Sequence, residues 1–389
     1  MKPVFFLVAG EPSGDALGAA LMKGLKQLAP GVVFHGVGGP LMQAEGMQSL
    51  FAMDELSIMG IAEVAPKYFH LKRRIKETAE AVAAVKPDAL ITIDSPDFCL
   101  RVAKIVKAAG DTRTVHYVAP TVWAWRAGRA KKMAKVIDQV LALFPFEPPY
   151  MTAEGMACDF VGHPVVAEKQ ASSESAAAFR KTHGIAPDAP LVLALPGSRR
   201  GEVGRLSDVF GQAIRLFQQK HPKARVVVPA AAPVSEQVLQ AVSNWPGSPV
   251  VLDPRTGALD DSPAMKRAAF RAADVALAAS GTVSLELAAA QTPMVIAYDM
   301  NWISRAMIGR LLKVDTVTLV NLVAESRSVP EFLGADCRAE RIAEALDSVF
   351  EAPDSQHAAM ALTMERLGLG KEAPGLRAAR AVLKGLNPS

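Results

Sequence analysis

Ala278-Ala279-Ser280-Gly281-Thr282-Val283-Ser284-Leu285-Glu286 joins two kinds of segment. Residues 275–278 form an unbroken apolar run of the kind found in a strand covered on both faces, and residues 283–290 predict a helix. A strand that ends in Ser280-Gly281-Thr282 and opens a helix suits an anion. Gly281 lets the backbone approach a ligand, and the first N–H groups of the helix lack internal partners. Those N–H groups and the helix dipole favour a phosphate, by roughly 0.3–1 kcal/mol per interaction when exposed. Glu286 lies one helical turn beyond Thr282 on the same face, where a carboxylate can accept both hydroxyls of a ribose diol. The plainer alternative is a capped helix with a surface Glu.

Working outward, the same unit of strand, small-residue loop and helix recurs along the chain. Residues 4–9 are a strand, followed by a turn at Gly10-Glu11-Pro12-Ser13-Gly14-Asp15 and a helix over 16–28. The glycines are not spaced as in the dinucleotide fingerprint, but the loop belongs at the carboxyl edge of a sheet, facing the ligand crevice. Residues 89–93 are a strand delivering Asp94-Ser95-Pro96-Asp97-Phe98. Two carboxylates there are candidate general bases. Asp94 directly follows the strand and is the better candidate, and Asp97 is better placed to cap the following helix. Strands at 114–118 and 139–143 follow. After the first comes Val122-Trp123-Ala124-Trp125-Arg126, whose Trp side chains either line a ligand wall or plug the space under a loop. His163, before Pro164, either contacts a ligand between domains or is structural.

A polar stretch at 165–175 reads as a linker, after which the alternation restarts. The strand over 191–195 runs into Pro196-Gly197-Ser198-Arg199. Gly197 and Ser198 can present N–H groups to an anion, and Arg199 can fork onto phosphate oxygens. Residues 301–312 predict a helix, and the segment after it brings Asn321 beside the nucleotide. The fold expected is α/β, with two doubly wound Rossmann-like domains facing across a cleft. The expected division is 1–168, 169–345, and closing helices over 346–389 that pack on the N-terminal half or on a partner subunit.

Bulk properties limit what such a chain does. It has 389 residues, 50% apolar and 21% charged, ample material for two cores. A formal net charge of +4 is too mild to imply a nucleic-acid partner. Cys99, Cys158 and Cys337 are scattered, which fits a reducing compartment without a disulfide framework and gives no metal spacing. No signal segment and no apolar run of about 18 residues is found, so a cytoplasmic protein is expected. Residues 63–76 interleave Lys67, Lys72, Arg73, Arg74 and Lys76 with Tyr68, Phe69, Leu71 and Ile75. This is either a basic amphipathic helix for an anionic membrane surface, contacted by Tyr68, Phe69, Lys72 and Arg73, or a packed helix with Phe69 and Ile75 turned inward.

Taken together, several stretches resemble the lipid-A-disaccharide synthase family. They are residues 8–15, Gly39-Pro40-Leu41-Met42, Ile58-Met59-Gly60, residues 94–98 and residues 122–126. Gly162-His163-Pro164, Pro196-Gly197-Ser198-Arg199, Ser280-Gly281-Thr282 with Glu286, and Asn321-Leu322 complete the set. The Ser-Gly-Thr…Glu element is shared with many nucleotide-sugar glycosyltransferases. The chain departs from the family pattern at Gly334 and at Glu325-Ser326-Arg327.

The resemblance implies an inverting transferase that joins UDP-2,3-diacylglucosamine to 2,3-diacylglucosamine 1-phosphate and releases UDP. It implies no bound metal or other cofactor, peripheral association with the inner face of the inner membrane, and a homodimer made by exchanging C-terminal elements. Asp94 then matches the base. Gly197, Ser198, Arg199, Ser280, Gly281, Thr282, Glu286 and Asn321 match the UDP-sugar site, and Glu11, Ser13, Trp125 and His163 the acceptor side of the cleft. A UDP-sugar epimerase, another lipid-acceptor transferase, or a non-catalytic binder would use the same scaffold.

Overall fold

The computed structural model describes residues 2–56, 61–123, 128–256, 262–299 and 314–386, the side chains of 61–67 and 262 excepted. Ile58-Met59-Gly60, Trp125 and the helix expected over 301–312 lie outside the described residues. The chain divides into two compact units, 1–167 with the returning 367–389, and 168–366.

In the first unit the strands are β1 (Val4–Ala9), β2 (Val33–Val37), β3 (Ala89–Ile93), β4 (Arg113–Tyr117), β5 (Gln139–Ala142) and β6 (Ala157–Phe160). They form one sheet in the order β2-β1-β3-β4-β5-β6, and every pairing is parallel. β3 and β5 are buried at every position, because helices cover both faces of a parallel sheet. The chain order reverses between β1 and β3, which makes the crevice outside their carboxyl ends the expected ligand position.

The first helix begins at Pro12, four residues before the start read from sequence, so Pro12-Ser13-Gly14-Asp15 is a first helical turn and not a free loop. Pro12 explains this, since proline pre-sets φ for the first turn and has no N–H to leave unpaired. Asp15 is 2% exposed, and its carboxylate accepts the N–H groups of Gly39 (2.9 Å), Leu41 (2.9 Å) and Met42 (3.0 Å). The Gly39-Pro40-Leu41-Met42 stretch is therefore held against the first strand–helix junction by one buried carboxylate.

The last helix, Pro374–Leu386, returns to this unit and packs on Pro12–Leu28. The crossing is close: a Cβ on Gly24 would stand 2.7 Å from the Gly375 carbonyl oxygen, and one on Gly375 2.5 Å from that of Ala20. The Arg377 Nη2 donates to the Phe160 carbonyl (2.8 Å) and the Gln139 Nε2 to that of Ala381 (3.1 Å), tying the helix to β5 and β6.

The second unit repeats the architecture with β7 (Leu191–Leu195), β8 (Arg225–Pro229), β9 (Val250–Leu252), β10 (Val275–Ala279), β11 (Met294–Tyr298) and β12 (Glu331–Leu333). Their order is β12-β11-β10-β7-β8-β9, again all parallel. Helix Arg200–Lys220 buries Val203, Leu206, Phe210, Ala213, Ile214 and Phe217, one stripe at three- and four-residue spacing. Here the order reverses between β7 and β10. The two small-residue loops singled out in the sequence, Pro196–Arg199 and Ser280–Thr282, follow those two strands. The fold is α/β with two doubly wound Rossmann-like units.

Candidate functional site

At the reversal point of the first unit, Asp94 and Ser95 follow β3 with φ of 51° and 42°, and Val118 follows β4 with φ of 86°. Left-handed backbone is uncommon for non-glycine residues and a true outlier for a β-branched one. Such strain, of order 1–3 kcal/mol each, persists where surrounding structure imposes it and clusters at functional sites. The Asp94 N–H is held by the Tyr117 carbonyl (3.0 Å) and the Val118 N–H by that of Leu141 (3.0 Å). The β1 loop touches the same place, since a Cβ on Gly10 would meet the Ser95 Oγ at 2.7 Å. Glu11 is half-buried and Ser13 exposed at this junction.

A cavity of about 770 Å³ opens beside this reversal point, between the carboxyl ends of β3 and β4, lined among others by Asp94, Asp97, His116 and Val118. That volume falls within the roughly 300–1,000 Å³ typical of small-molecule sites. A second cavity, about 880 Å³ and lined by Lys2, Lys86 and Asp88, lies at the opposite edge, where doubly wound sheets do not hold ligands. His116, which sequence reading passed over, is 2% exposed. Its Nδ1 lies 2.8 Å from the Thr92 Oγ1, and burial pushes its pKa down to about 4, so the ring is neutral. Its only sequence signal is an ionisable residue between Val115 and Tyr117 in a strand.

Asp97 is not the cap expected of it. Ser95 occupies that position without a side-chain cap bond, and Asp97 is an exposed residue of the first turn of Pro96–Ala109. The reason is Pro96 at N1, which excludes right-handed helical backbone from the residue before it.

Trp123 plugs the fold, 7% exposed and edge-on to Phe146 at 5.2 Å between ring centroids. His163 is likewise packed within its own unit. It is 8% exposed against Phe144 (5.4 Å), and its Nδ1 accepts the Val165 N–H (3.2 Å). Burial lowers its pKa to about 4. The carboxylate of Glu147, unnoticed in the sequence, is buried under the same aromatic cluster and accepts the N–H groups of Leu143 (3.1 Å) and Phe144 (3.0 Å). Burial outweighs those bonds and pushes its pKa up to about 7.

In the second unit the reversal point is built from glycine. Gly197 has φ of 122° and Gly281 of 159°. A Cβ on Gly197 would collide with the Glu202 side chain at 2.5 Å, whereas one on Gly281 would meet no protein atom within 4 Å. Internal packing therefore explains Gly197 but not Gly281, whose bare backbone stands open at the mouth of the Ser280–Thr282 loop.

Three donor-side expectations change. The Ser198 N–H is already taken by an internal carboxylate: with the Arg199 N–H it donates to the Glu202 Oε2 (3.1 and 3.3 Å). Glu202 sits in the first turn of Arg200–Lys220 and reaches back to satisfy N–H groups that the helix leaves unpaired. The Arg199 side chain remains 71% exposed, touching the Glu202 Oε1 at 3.3 Å. Glu286 pairs with the Lys266 Nζ (2.5 Å) from helix Ser262–Ala272, so a diol must compete with that cation. Lys266 also lies 5.1 Å from the Phe270 ring centroid.

Asn321 is fully buried in helix Leu319–Ala324. Its Nδ2 donates to the Val329 carbonyl (2.9 Å) and the Thr316 Oγ1 (3.3 Å), and its Oδ1 accepts the Val329 N–H (3.0 Å). It fastens the segment entering β12 and has no side-chain donor left for a ligand.

A family model described as lipid-A-disaccharide synthetase matches residues 5–383. The chain belongs to the lipid-A-disaccharide synthetase family. The lipid-A-disaccharide synthase of Ruegeria pomeroyi is 64% identical over 97% of this chain and 94% of its own. Among solved structures, UDP-GlcNAc 2-epimerase from Neisseria meningitidis bound to UDP-GlcNAc superposes with a TM-score of 0.63 at 12% identity, covering 99% of both chains. A glycosyltransferase from Rickettsia africae gives 0.61 at 12% identity over the whole of both. Likenesses at that identity establish the shared two-domain fold, while the close sequence relatives make this synthetase-family chain a glycosyltransferase of lipid A biosynthesis and do not favour an epimerase.

The helix that begins the basic stretch, Ile61–Val85, turns Ile75 inward (8% exposed), and Arg74 forks onto Glu55 (both 2.8 Å) over the Phe51 ring. Phe69 does not pack inward: it is 81% exposed, beside Tyr68 at 44%, with Lys72 and Arg73 exposed one turn on. Among the described residues no helix is long and apolar enough to cross a membrane.

Proposed function

We propose that the protein condenses UDP-2,3-diacylglucosamine with 2,3-diacylglucosamine 1-phosphate, forming the β-linked lipid A disaccharide 1-phosphate and UDP with inversion. The Asp94 carboxylate takes the proton of the acceptor hydroxyl, whose oxygen attacks the anomeric carbon as the bond to UDP breaks. General-base help of this kind is worth about 10²–10⁴-fold. In the second unit the open Gly281 backbone, Thr282 and the exposed Arg199 meet the leaving diphosphate, so no resident metal is needed in this reading. Stabilising charge on the leaving group typically contributes as much or more. Glu286 exchanges Lys266 for the ribose hydroxyls. The Neisseria epimerase, of the same fold, holds UDP-GlcNAc, which supports a UDP-sugar on this scaffold.

The observation that carries the reading is Asp94, held at φ 51° at the end of β3, next to the reversal point, and lining a 770 Å³ cavity. Purified protein given both lipid sugars should release UDP and form the disaccharide. UDP-sugar isomerised without acceptor, or no UDP release, contradicts it.

The bare Phe69 and Tyr68 beside Lys72 and Arg73 support peripheral binding to an anionic leaflet on the cytoplasmic side. Phe69→Ser should lower binding to anionic vesicles severalfold while leaving turnover on micellar substrate intact. A homodimer through exchange of helix Pro374–Leu386 belongs to the same reading. The Gly24–Gly375 crossing is the joint that would be exchanged.

A further inference from the structure

The cavity beside Asp94 has a basic wall that the reading above leaves without a task. Of the seven non-glycine residues with positive φ among those described, three, Asp94, Ser95 and Val118, stand at this one edge. The protein thus imposes a shape here at a cost in backbone strain. Arg129 and Lys132 line the same cavity. They are three apart on helix Gly128–Met133, hence on one face, and both are exposed. Leu100, Val118 and Met133 add apolar wall.

The polar groups are sorted by element. The carboxylates of Asp94 and Asp97 come from the end of β3 and the helix after it, and the cations come from the helix that follows β4. A neutral sugar alcohol needs the carboxylate but gives two cations nothing to bind. A molecule carrying a hydroxyl, a phosphate and hydrocarbon uses the entire lining. It also enters in one sense only, because the carboxylates repel its phosphate toward the cations.

We propose that Arg129 and Lys132 bind the phosphate of the acceptor sugar and thereby orient its hydroxyl toward Asp94, making the enzyme selective for a phosphorylated acceptor. This rests on the assignment of the acceptor to the first unit. Arg129 supplies a planar fork and Lys132 a point charge, the usual pair for a phosphate monoester.

The test is the Arg129→Gln/Lys132→Gln double variant, assayed in neutral detergent micelles so that attraction to an anionic leaflet does not enter. KM is measured for the phosphorylated acceptor, for the same diacylglucosamine without its phosphate, and for the UDP-sugar. The expected result is a KM for the phosphorylated acceptor raised about ten- to a hundredfold, the size of one or two charge-assisted phosphate contacts. KM for the other two substrates should stay within about twofold, which also shows that the variant is folded. The charge-retaining Arg129→Lys/Lys132→Arg variant should recover most of the loss. Inorganic phosphate should compete with the acceptor on the wild type and not on the double Gln variant.

An equal loss with both acceptors would make the pair merely structural, and an unchanged KM for the phosphorylated acceptor would remove the pair from recognition. Either outcome overturns this proposal while an active wild type keeps the function itself. A wild type that releases no UDP overturns that function, and this proposal with it.

Discussion

The two units solve one geometric problem in two ways. In each, a parallel sheet reverses its chain order, and two strand ends turn sharply into loops. The second unit makes the turns with Gly197 and Gly281, residues that adopt positive φ without strain. The first has Asp94 and Ser95 at the end of β3 and Val118 at the end of neighbouring β4, residues that take positive φ less readily than glycine, Val118 least of all. Glycine leaves bare backbone, which suits a diphosphate that wants N–H donors and close approach. A strained aspartate keeps a side chain, which suits proton removal. The contrast separates a binding edge from a chemical edge.

The largest effect should come from the chemical edge. Asp94→Asn keeps the shape, and Asn tolerates left-handed backbone as well as Asp does. Turnover should fall about 10²–10⁴-fold at saturating substrates, with stability unchanged. Retained turnover in steady-state assays would erase the distinction between the edges.

Next comes the binding edge. Gly281→Ala introduces no clash with the protein, so the fold should survive with a loss of about 1 kcal/mol. UDP affinity should fall at least tenfold because the new methyl group stands where the ligand approaches. Gly197→Ala provides the control, since its Cβ collides with Glu202 and should cost several kcal/mol by thermal melting. If instead Gly281→Ala melts early and binds UDP normally, its glycine serves folding.

The smallest effect concerns Glu147, which sharpens the contrast by showing a buried carboxylate that is not catalytic. Its folded pKa of about 7 lies above the ordinary glutamate value of 4.5. The folded state therefore binds more protons than the unfolded state in that window, and stability is lost as pH rises from about 4.5 through 7. Glu147→Gln should flatten this part of the melting-temperature profile and leave the pH dependence of turnover alone. His116 and His163, with pKa pushed down to about 4, act in the opposite direction, losing stability as pH falls from about 6.5 to 4.

Much of this was legible in the chain. Strands such as Leu191–Leu195 and Val275–Ala279 are buried at all five positions, and that burial demands the uninterrupted apolar runs that announce them. The loops after β3, β7 and β10 were legible because proline and glycine mark their turns. What side chains meet across the fold was not. No local pattern shows that Glu202 reaches back to the Ser198 N–H, that Lys266 meets Glu286, or that Asn321 holds Val329. Asp15 reads as one residue of a ligand loop, yet it is a buried clasp for Gly39–Met42, because its partners lie more than twenty residues away. Short polar motifs are ambiguous in this way: the residue type names the chemistry it can do, and only the fold decides on which partner.

The division between a binding edge and a chemical edge is tested most directly by titrating UDP calorimetrically into Asp94→Asn and wild-type protein. The dissociation constants should agree within about twofold although the variant has lost turnover. A variant whose UDP affinity falls in step with its turnover would contradict the account, because Asp94 would then serve the nucleotide and not the acceptor hydroxyl.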